Sequence, residues 1–242
     1  HRMNIVTLIP VRLASTRFPN KPFSKIKGLP MFHFVYNQII NEYPSTYLAT
    51  CDEEIENYCL INNINFIHTN DTHISGTDRI GEAINFLEKK YEFDSVINVQ
   101  GDMPFINPKH IELLTKNLNE YVMSTLCCPF INKKEFLDTN KVKVLIKEHK
   151  RSFFSKNFSR VKLSESVMNK NTFHHIGIYG YKKSFLKDFV NASPSKREQL
   201  EKLEQLRVIA NTKIGISIIE ENILGVDTEE DLIRVNEILN NE

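Results

Sequence analysis

Apolar residues in the first half of the chain alternate between short unbroken runs and a helical spacing. Residues 5–9 form an apolar run that predicts a buried strand. Met31, Val35 and Ile39 then share one face of a helix, its start punctuated by Gly28 and Pro30. Residues 46–50 predict a strand, 53–61 a helix and 65–68 a strand. Ile80, Ala83, Ile84 and Leu87 recur at helical spacing over 77–89. Residues 95–99 predict an apolar strand that runs into Gln100-Gly101-Asp102, and Asn107 with Pro108 marks the next helix start. This rhythm implies an α/β fold with a parallel, doubly wound sheet.

The rhythm breaks after Leu118. Residues 123–129, 142–146 and 176–181 predict strands with few helices between them. Residues 147–173 are polar without a clear period and are expected to form an exposed arm on a β-rich lobe. Helical spacing returns over 183–190 and 196–210. After a strand at 214–219, Thr228-Glu229-Glu230-Asp231 has the form of a capping box for a last helix. There is no internal repeat or low-complexity linker. One domain is expected over 3–242, with a main α/β part at 3–122 and 183–242 and a smaller β-rich lobe at about 123–182.

Composition narrows the partners. The 242 residues carry a net charge of +1 and are 41% hydrophobic, ample for a sizeable core. A near-neutral chain gives no reason to expect nucleic acid or a membrane as partner, so its clustered cations must be local sites. Cys51, Cys59, Cys127 and Cys128 match no zinc or disulfide framework and are expected to be small core thiols in a reducing compartment. No apolar run reaches a membrane span, and the N-terminal run is too short for a signal peptide. His1-Arg2 ahead of Met3 has the look of a cloning remnant. A cytoplasmic location is expected.

Six segments carry candidate chemistry. The loop after the first strand holds Arg12, Ser15, Arg17 and Lys21, stiffened by prolines. Cations at a strand end suit a phosphate chain, which arginine grips as a fork and lysine as a point charge. The loop lacks the glycines of a Walker motif. Asn98-Val99-Gln100-Gly101-Asp102 ends a strand in a carboxylate that could hold Mg²⁺ or could equally satisfy a turn. Asp227, in Gly225-Val226-Asp227-Thr228, could be a second carboxylate on that ion; taken alone it fits a residue favoured by the helix dipole better. The turn Ser75-Gly76-Thr77-Asp78-Arg79 could read a base edge or simply cap a helix. His174 and His175 are adjacent in an extended segment and face opposite sides, which argues against a shared zinc; one of them with Tyr179 or Tyr181 could donate to a polyhydroxylated acid. Leu203-Glu204-Gln205-Leu206-Arg207 alone would be surface polar residues beside a leucine face of a helix.

Together and in this order, these segments resemble the 3-deoxy-manno-octulosonate (Kdo) cytidylyltransferase family over nearly the whole chain. The resemblance runs from Ile9-Pro10-Val11-Arg12-Leu13-Ala14-Ser15-Thr16-Arg17, through Asn98-Val99-Gln100-Gly101-Asp102 and His175-Ile176-Gly177-Ile178-Tyr179-Gly180-Tyr181, to Leu203-Glu204-Gln205-Leu206-Arg207 and Gly225-Val226-Asp227-Thr228. It implies a Rossmann-like nucleotidyltransferase sheet with a smaller β-rich lobe, and a homodimer. It implies transfer of CMP from CTP to Kdo with release of pyrophosphate, for lipopolysaccharide synthesis in a Gram-negative-type bacterium. By the same resemblance, Arg12, Ser15, Arg17 and Lys21 hold the triphosphate, and Ser75, Gly76, Thr77 and Arg79 read cytosine. Asp102 and Asp227 hold Mg²⁺ and, with Arg12 and Lys21, form the catalytic set. Gln100, His175, Tyr179, Glu204 and Gln205 bind the sugar acid, and Lys156 stands where the family has an arginine for the sugar carboxylate.

The chain departs from the family pattern at Asn20 (usually Gly), Cys51 (usually Asp), His174 and Lys156 (both usually Arg). The Ile-Pro that normally follows soon after the Lys156 position is missing. These departures bear on sugar binding, loop shape and the dimer arm, and leave the metal carboxylates intact. Two other readings stand beside Kdo activation: a cytidylyltransferase for an 8-amino analogue or another 2-keto sugar acid, and a non-catalytic relative that binds CTP.

Overall fold

The computed structural model describes residues 4–14, 17–160 and 171–242; Ser15 lies outside them. Two compact units emerge, 1–109 with 223–242, and 110–222. The second unit takes in residues 183–222 as well as the expected lobe, so its helices and last strand do not group with the first half of the chain.

In the first unit, β1 (Ile5–Pro10) leads through β2 (Lys25–Ile26) and β3 (Leu29–Pro30) to α1 (Met31–Ile39). The small β2–β3 hairpin turns through Lys27 and Gly28, both at positive φ (47° and 80°), the backbone a two-residue hairpin turn demands. Gly28 therefore serves this turn, and Pro30 is the residue that precedes α1. β4 (Thr46–Thr50), α2 (Glu53–Ile61), β5 (Phe66–His68), α3 (Gly76–Leu87) and β6 (Ser95–Asn98) follow the predicted alternation closely. The strands are parallel, in the order β5-β4-β1-β6. The chain thus builds outward from β1 on one side and then crosses to its other side. That reversal is a topological switch point, where open α/β sheets bind ligands beyond the strand C-termini.

The second unit holds most of α4 (Pro108–Asn117), then β7 (Met123–Cys128), α5 (Lys133–Leu137), β8 (Lys143–His149), β9 (Ser152–Ser159), β10 (Thr172–Lys182), α6 (Lys183–Asn191), α7 (Lys196–Glu201) and β11 (Gly215–Ile218). Its strands run β10-β7-β11-β9-β8, and a further pairing of β8 with β10 closes the circuit. The polar stretch after residue 147 is therefore not all arm: residues 152–159 are a strand paired antiparallel with β8, turned through Lys150 at φ 56°. Its inward and outward positions do not alternate cleanly, so no period of two is visible in the sequence. Residues 161–170 lie outside the described residues. The expected helix over 196–210 also breaks. α7 stops where Lys202 turns left-handed (φ 53°), and Glu204–Arg207 forms a separate 3-10 turn.

α8 (Glu229–Asn240) returns the chain to the first unit. Thr228 and Asp231 make the predicted capping box, a motif whose N-cap bond is worth about 1 kcal/mol. Phe18, Ile26, Met31, Val226, Val235 and Leu239 pack into one buried cluster. Each fully buried aliphatic side chain contributes about 1.5–3 kcal/mol. Phe18 and Val226 anchor the loops that carry Lys21 and Asp227, so core packing sets how these two side chains meet.

Candidate active site

The loops after β1 and β6 meet at the switch point. Gly101 permits this: a Cβ there would come within 3.1 Å of Val11 Cγ2 and 3.5 Å of Ile9 Cγ2. Gly76 similarly brings the start of α3 against Pro10, whose Cγ would be 3.2 Å from an added Cβ. The result is an open cleft of about 210 Å³ lined by Arg12, Ser75, Gly76, Arg79 and Gln100, with His73 and Ile74 at its edge. Ser75 caps α3, accepting from Asp78 N at 3.1 Å and donating to Asp78 Oδ2 at 2.7 Å. The first-turn N–H groups of a helix lack intrahelical acceptors, so this end offers donors to a polar ligand edge. Thr77 is fully buried, its hydroxyl 3.4 Å from Asn98 Nδ2. Arg79 is buried too, with Nη1 donating to Thr69 Oγ1 (2.6 Å) and Asn70 O (3.0 Å), so it braces the preceding loop as well as lining the cleft.

Beside the cleft, the predicted metal residues converge. Lys21 Nζ lies 2.8 Å from Asp102 Oδ2 and 3.9 Å from Asp227 Oδ1. Val226 N donates to Asp102 O at 2.9 Å and straps the two carboxylate loops together. Asp102 is part-buried and Asp227 mostly exposed, with side-chain exposures of 29% and 85%. Two carboxylates thus share one cation, and such hard oxygen donors suit Mg²⁺, which needs only one or two of them beside phosphate oxygens. Among the described residues no larger cluster of three histidine, cysteine or acidic ligands occurs. Lys21 opens a 3-10 turn whose N-cap, Asn20, is left-handed (φ 54°). Glycine favours that conformation and asparagine tolerates it, which accounts for the Asn20 substitution. Arg12 and Arg17 are both exposed on the same stretch of chain.

The remaining predicted sugar residues lie in the second unit. Tyr179 OH donates to Gln205 Oε1 at 3.1 Å, and the His175 and Tyr179 ring centroids are 5.6 Å apart. Phe158 meets His175 edge to face at 4.9 Å. Burial lowers the His175 pKa to about 3, with His174 and Arg160 adding to the effect, and raises that of Tyr179. Gln205 is only 1% exposed, and its Nε2 is buried with no hydrogen-bond partner. This contradicts the expectation that a polar residue beside a leucine face points outward. An orphaned buried amide is costly and calls for a partner. Glu204 is half-buried on the same turn. His174 faces elsewhere, stacked on Phe130 and 3.4 Å from Glu135 Oε1, and burial lowers its pKa to about 4. Lys156 is exposed. The β8–β9 register passes from Leu145↔Asn157 to Ile146↔Ser155, which leaves Lys156 as the extra residue of a bulge.

Three contributors were not singled out by residue type. Asp52 Oδ2 accepts from Leu13 N at 2.8 Å, so a carboxylate one residue beyond Cys51 holds the phosphate-type loop. Arg207 and Glu198 form a buried two-pronged ion pair (3.0 and 2.7 Å) that anchors the Glu204–Arg207 turn. Thr125 bonds the backbone beside His175. Asp52 and Thr125 act through contacts distant in sequence, Arg207 and Glu198 across the break between α7 and the 3-10 turn, and only the Asp next to Cys51 left a local trace.

Residues 6–218 match the family model described as cytidylyltransferase. The 3-deoxy-manno-octulosonate cytidylyltransferase of Francisella tularensis subsp. holarctica (strain LVS) is 38% identical over 251 residues, 98% of this chain and 99% of that protein. The 8-amino-3,8-dideoxy-manno-octulosonate cytidylyltransferase of Shewanella sp. (strain W3-18-1) is also 38% identical, over 95% of this chain and 96% of its own length. The solved structure of CMP:2-keto-3-deoxy-manno-octonic acid synthetase complexed with CTP superposes with a TM-score of 0.86 at 30% identity, covering 98% of both chains. With a family match over most of its length and relatives this similar from end to end, the chain belongs to the cytidylyltransferase family, among the 3-deoxy-manno-octulosonate cytidylyltransferases and their 8-amino counterparts.

Proposed function

We propose that the protein activates Kdo, transferring CMP from CTP to the sugar's anomeric hydroxyl and releasing pyrophosphate. The observation that carries this reading is the meeting of Asp102 and Asp227 on one cation, Lys21, beside the Arg12–Ser75 cleft. A degenerate, non-catalytic relative would have no need to keep both carboxylates in register.

The anomeric hydroxyl attacks the α-phosphorus and the bond to the β-phosphate oxygen breaks. Little covalent chemistry falls to the protein, so positioning and charge dominate. Arg12, Arg17 and Lys21 hold the triphosphate and offset the charge that develops on leaving pyrophosphate; Ser15 belongs to the same loop. Ser75, Gly76 and Arg79 meet the cytosine edge, while Thr77, buried under Asn98, holds their turn in place. Asp102 and Asp227 are the groups that would hold Mg²⁺. When bound, that ion lowers the pKa of an attacking hydroxyl and neutralises phosphate charge. Gln100, His175, Tyr179, Glu204 and Gln205 bind the sugar acid, with Gln205 Nε2 as the clearest vacant donor. Lys156, lacking the arginine fork, pairs with the sugar carboxylate as a point charge. The activity belongs to lipopolysaccharide synthesis in the cytoplasm. No helix among the described residues is long and apolar enough to cross a membrane. A homodimer, with the β-rich lobe over about 123–182 serving sugar binding and dimerisation, completes this picture.

A second reading concerns the sugar alone. Relatives of equal identity are named for Kdo and for its 8-amino analogue. Pyrophosphate release with CTP and a panel of 2-keto sugar acids separates the two. Kdo should give the highest kcat/KM. Turnover of the 8-amino acid alone would move the assignment to that sugar, and release from ATP or GTP equal to that from CTP would remove the cytidylyltransferase reading.

A further inference from the structure

Two rings of the proposed sugar set are brought together by an interruption in a strand. β10 pairs with β7 through His175↔Cys127 and Ile176↔Leu126, and then jumps to Tyr179↔Thr125. One step along β7 therefore spans three along β10, and Gly177 and Ile178 are extra. Residues four apart on an uninterrupted strand stand about 13 Å apart. Here the rings of His175 and Tyr179 are 5.6 Å apart. The bulge re-aims both side chains toward one place, a use to which bulges near functional sites are often put.

Thr125 holds this bulge. It is fully buried, and its Oγ1 lies 2.8 Å from Ile178 O, 3.1 Å from Ile176 O and 2.9 Å from His175 Nε2. A hydroxyl has one proton, and backbone carbonyls only accept. Two oxygens 2.8 Å apart with no proton between them would repel, so the proton of Thr125 goes to a bulge carbonyl. His175 Nε2 must then be the donor in its own bond to Thr125 Oγ1. Burial keeps the ring neutral, so Nδ1 carries a lone pair and can only accept. Nδ1 makes no hydrogen bond with any described residue.

We infer that Thr125 is a positioning residue for the sugar acid: its hydroxyl fixes the bulge and the Nε2–H tautomer, so that His175 presents an acceptor to a sugar hydroxyl. From residue type alone a histidine here would be expected to donate to the acid; this geometry reverses the direction of that bond. The inference rests on His175 contacting the sugar.

The test pairs Thr125→Val, which keeps shape and removes the hydroxyl, with Thr125→Ser, which keeps the hydroxyl. Thr125→Val should lower kcat/KM for the sugar about tenfold or more, the scale of one lost hydrogen bond in a buried site, with the CTP KM little changed. Thr125→Ser should restore most of the loss. In the wild-type protein, ¹⁵N NMR of labelled histidine should show His175 protonated at Nε2, and this readout does not depend on any variant folding. Wild-type His175 protonated at Nδ1 would overturn the inference. So would unchanged sugar kinetics in Thr125→Val alongside a sugar-specific loss in His175→Ala. Unchanged sugar kinetics in His175→Ala would instead remove the sugar-binding reading of His175, and this inference with it.

Discussion

The residues proposed for the nucleotide and those proposed for the sugar acid differ sharply in burial, the first set in one unit and most of the second in the other. The first unit keeps the charges proposed for phosphate and metal near water: Arg12 and Arg17 are exposed, and Lys21 and Asp102 are only part-buried. The second unit buries three of its proposed sugar residues. His175, Tyr179 and Gln205 are 7%, 4% and 1% exposed. A triphosphate brings its own large charge and needs reachable counter-charges, which exposed side chains supply without the cost of burying them. A sugar acid must be distinguished by its hydroxyls, and buried donors and acceptors discriminate most strongly when a wrong substrate would leave them unpaired.

This contrast yields its largest expected effect at the carboxylates. Asp102→Asn and Asp227→Asn should each lower kcat about 100-fold or more, roughly 2.7 kcal/mol of barrier, with the far-UV circular dichroism spectrum unchanged. Equal losses would show that the exposed Asp227 works as a partner of the part-buried Asp102. If Asp227→Asn kept more than about a tenth of wild-type activity, a barrier change of only about 1.4 kcal/mol, its carboxylate would belong to the helix cap alone.

An intermediate effect separates the units by pH. Burial holds His175 neutral down to about pH 3 and His174 down to about pH 4 in the folded protein. The unfolded chain takes up protons near pH 6.5. Both contributions to stability are therefore complete above about pH 6.5 and are lost as the pH falls toward 4 and then 3. Each ring should steepen the loss by about 1.4 kcal/mol per pH unit in this window. Urea midpoints at pH 7.5 and 5 should differ less in His175→Gln than in wild type; an identical pH dependence would mean that the ring is hydrated. The smallest effect is expected at Lys156. Lys156→Arg should hold or improve sugar affinity, and Lys156→Ala should weaken it only a few-fold, since an exposed ion pair is worth about 0–1 kcal/mol. No change in either variant would leave Lys156 a solvated bulge residue.

Legibility in the sequence followed the same divide. The first unit's strands and helices were readable because each apolar period belongs to one local element, and Arg12, Arg17 and Lys21 fall within eleven residues of the end of β1 at Pro10. β9 was not readable, because its burial is set by its two neighbouring strands, β11 and β8, and not by a period of two. The break at Lys202 was hidden too: a lysine in the left-handed region leaves no signal of the kind a glycine would. Gln205 shows most plainly what sequence omits. A glutamine beside leucines looks like a surface residue, and only the buried Arg207–Glu198 pair and the Tyr179 hydroxyl turn it inward.

Initial rates of pyrophosphate release over a grid of CTP and Kdo concentrations, for wild type, Arg12→Ala and Gln205→Ala, address this division of labour most directly. Arg12→Ala should raise the CTP KM and leave the sugar KM nearly unchanged. Gln205→Ala should do the reverse, lowering kcat/KM for Kdo by roughly 10- to 150-fold, as expected for a lost hydrogen bond to a charged group. If both variants moved the same KM, or if Gln205→Ala kept wild-type sugar kinetics, nucleotide and sugar recognition would not be divided between these two sets of residues.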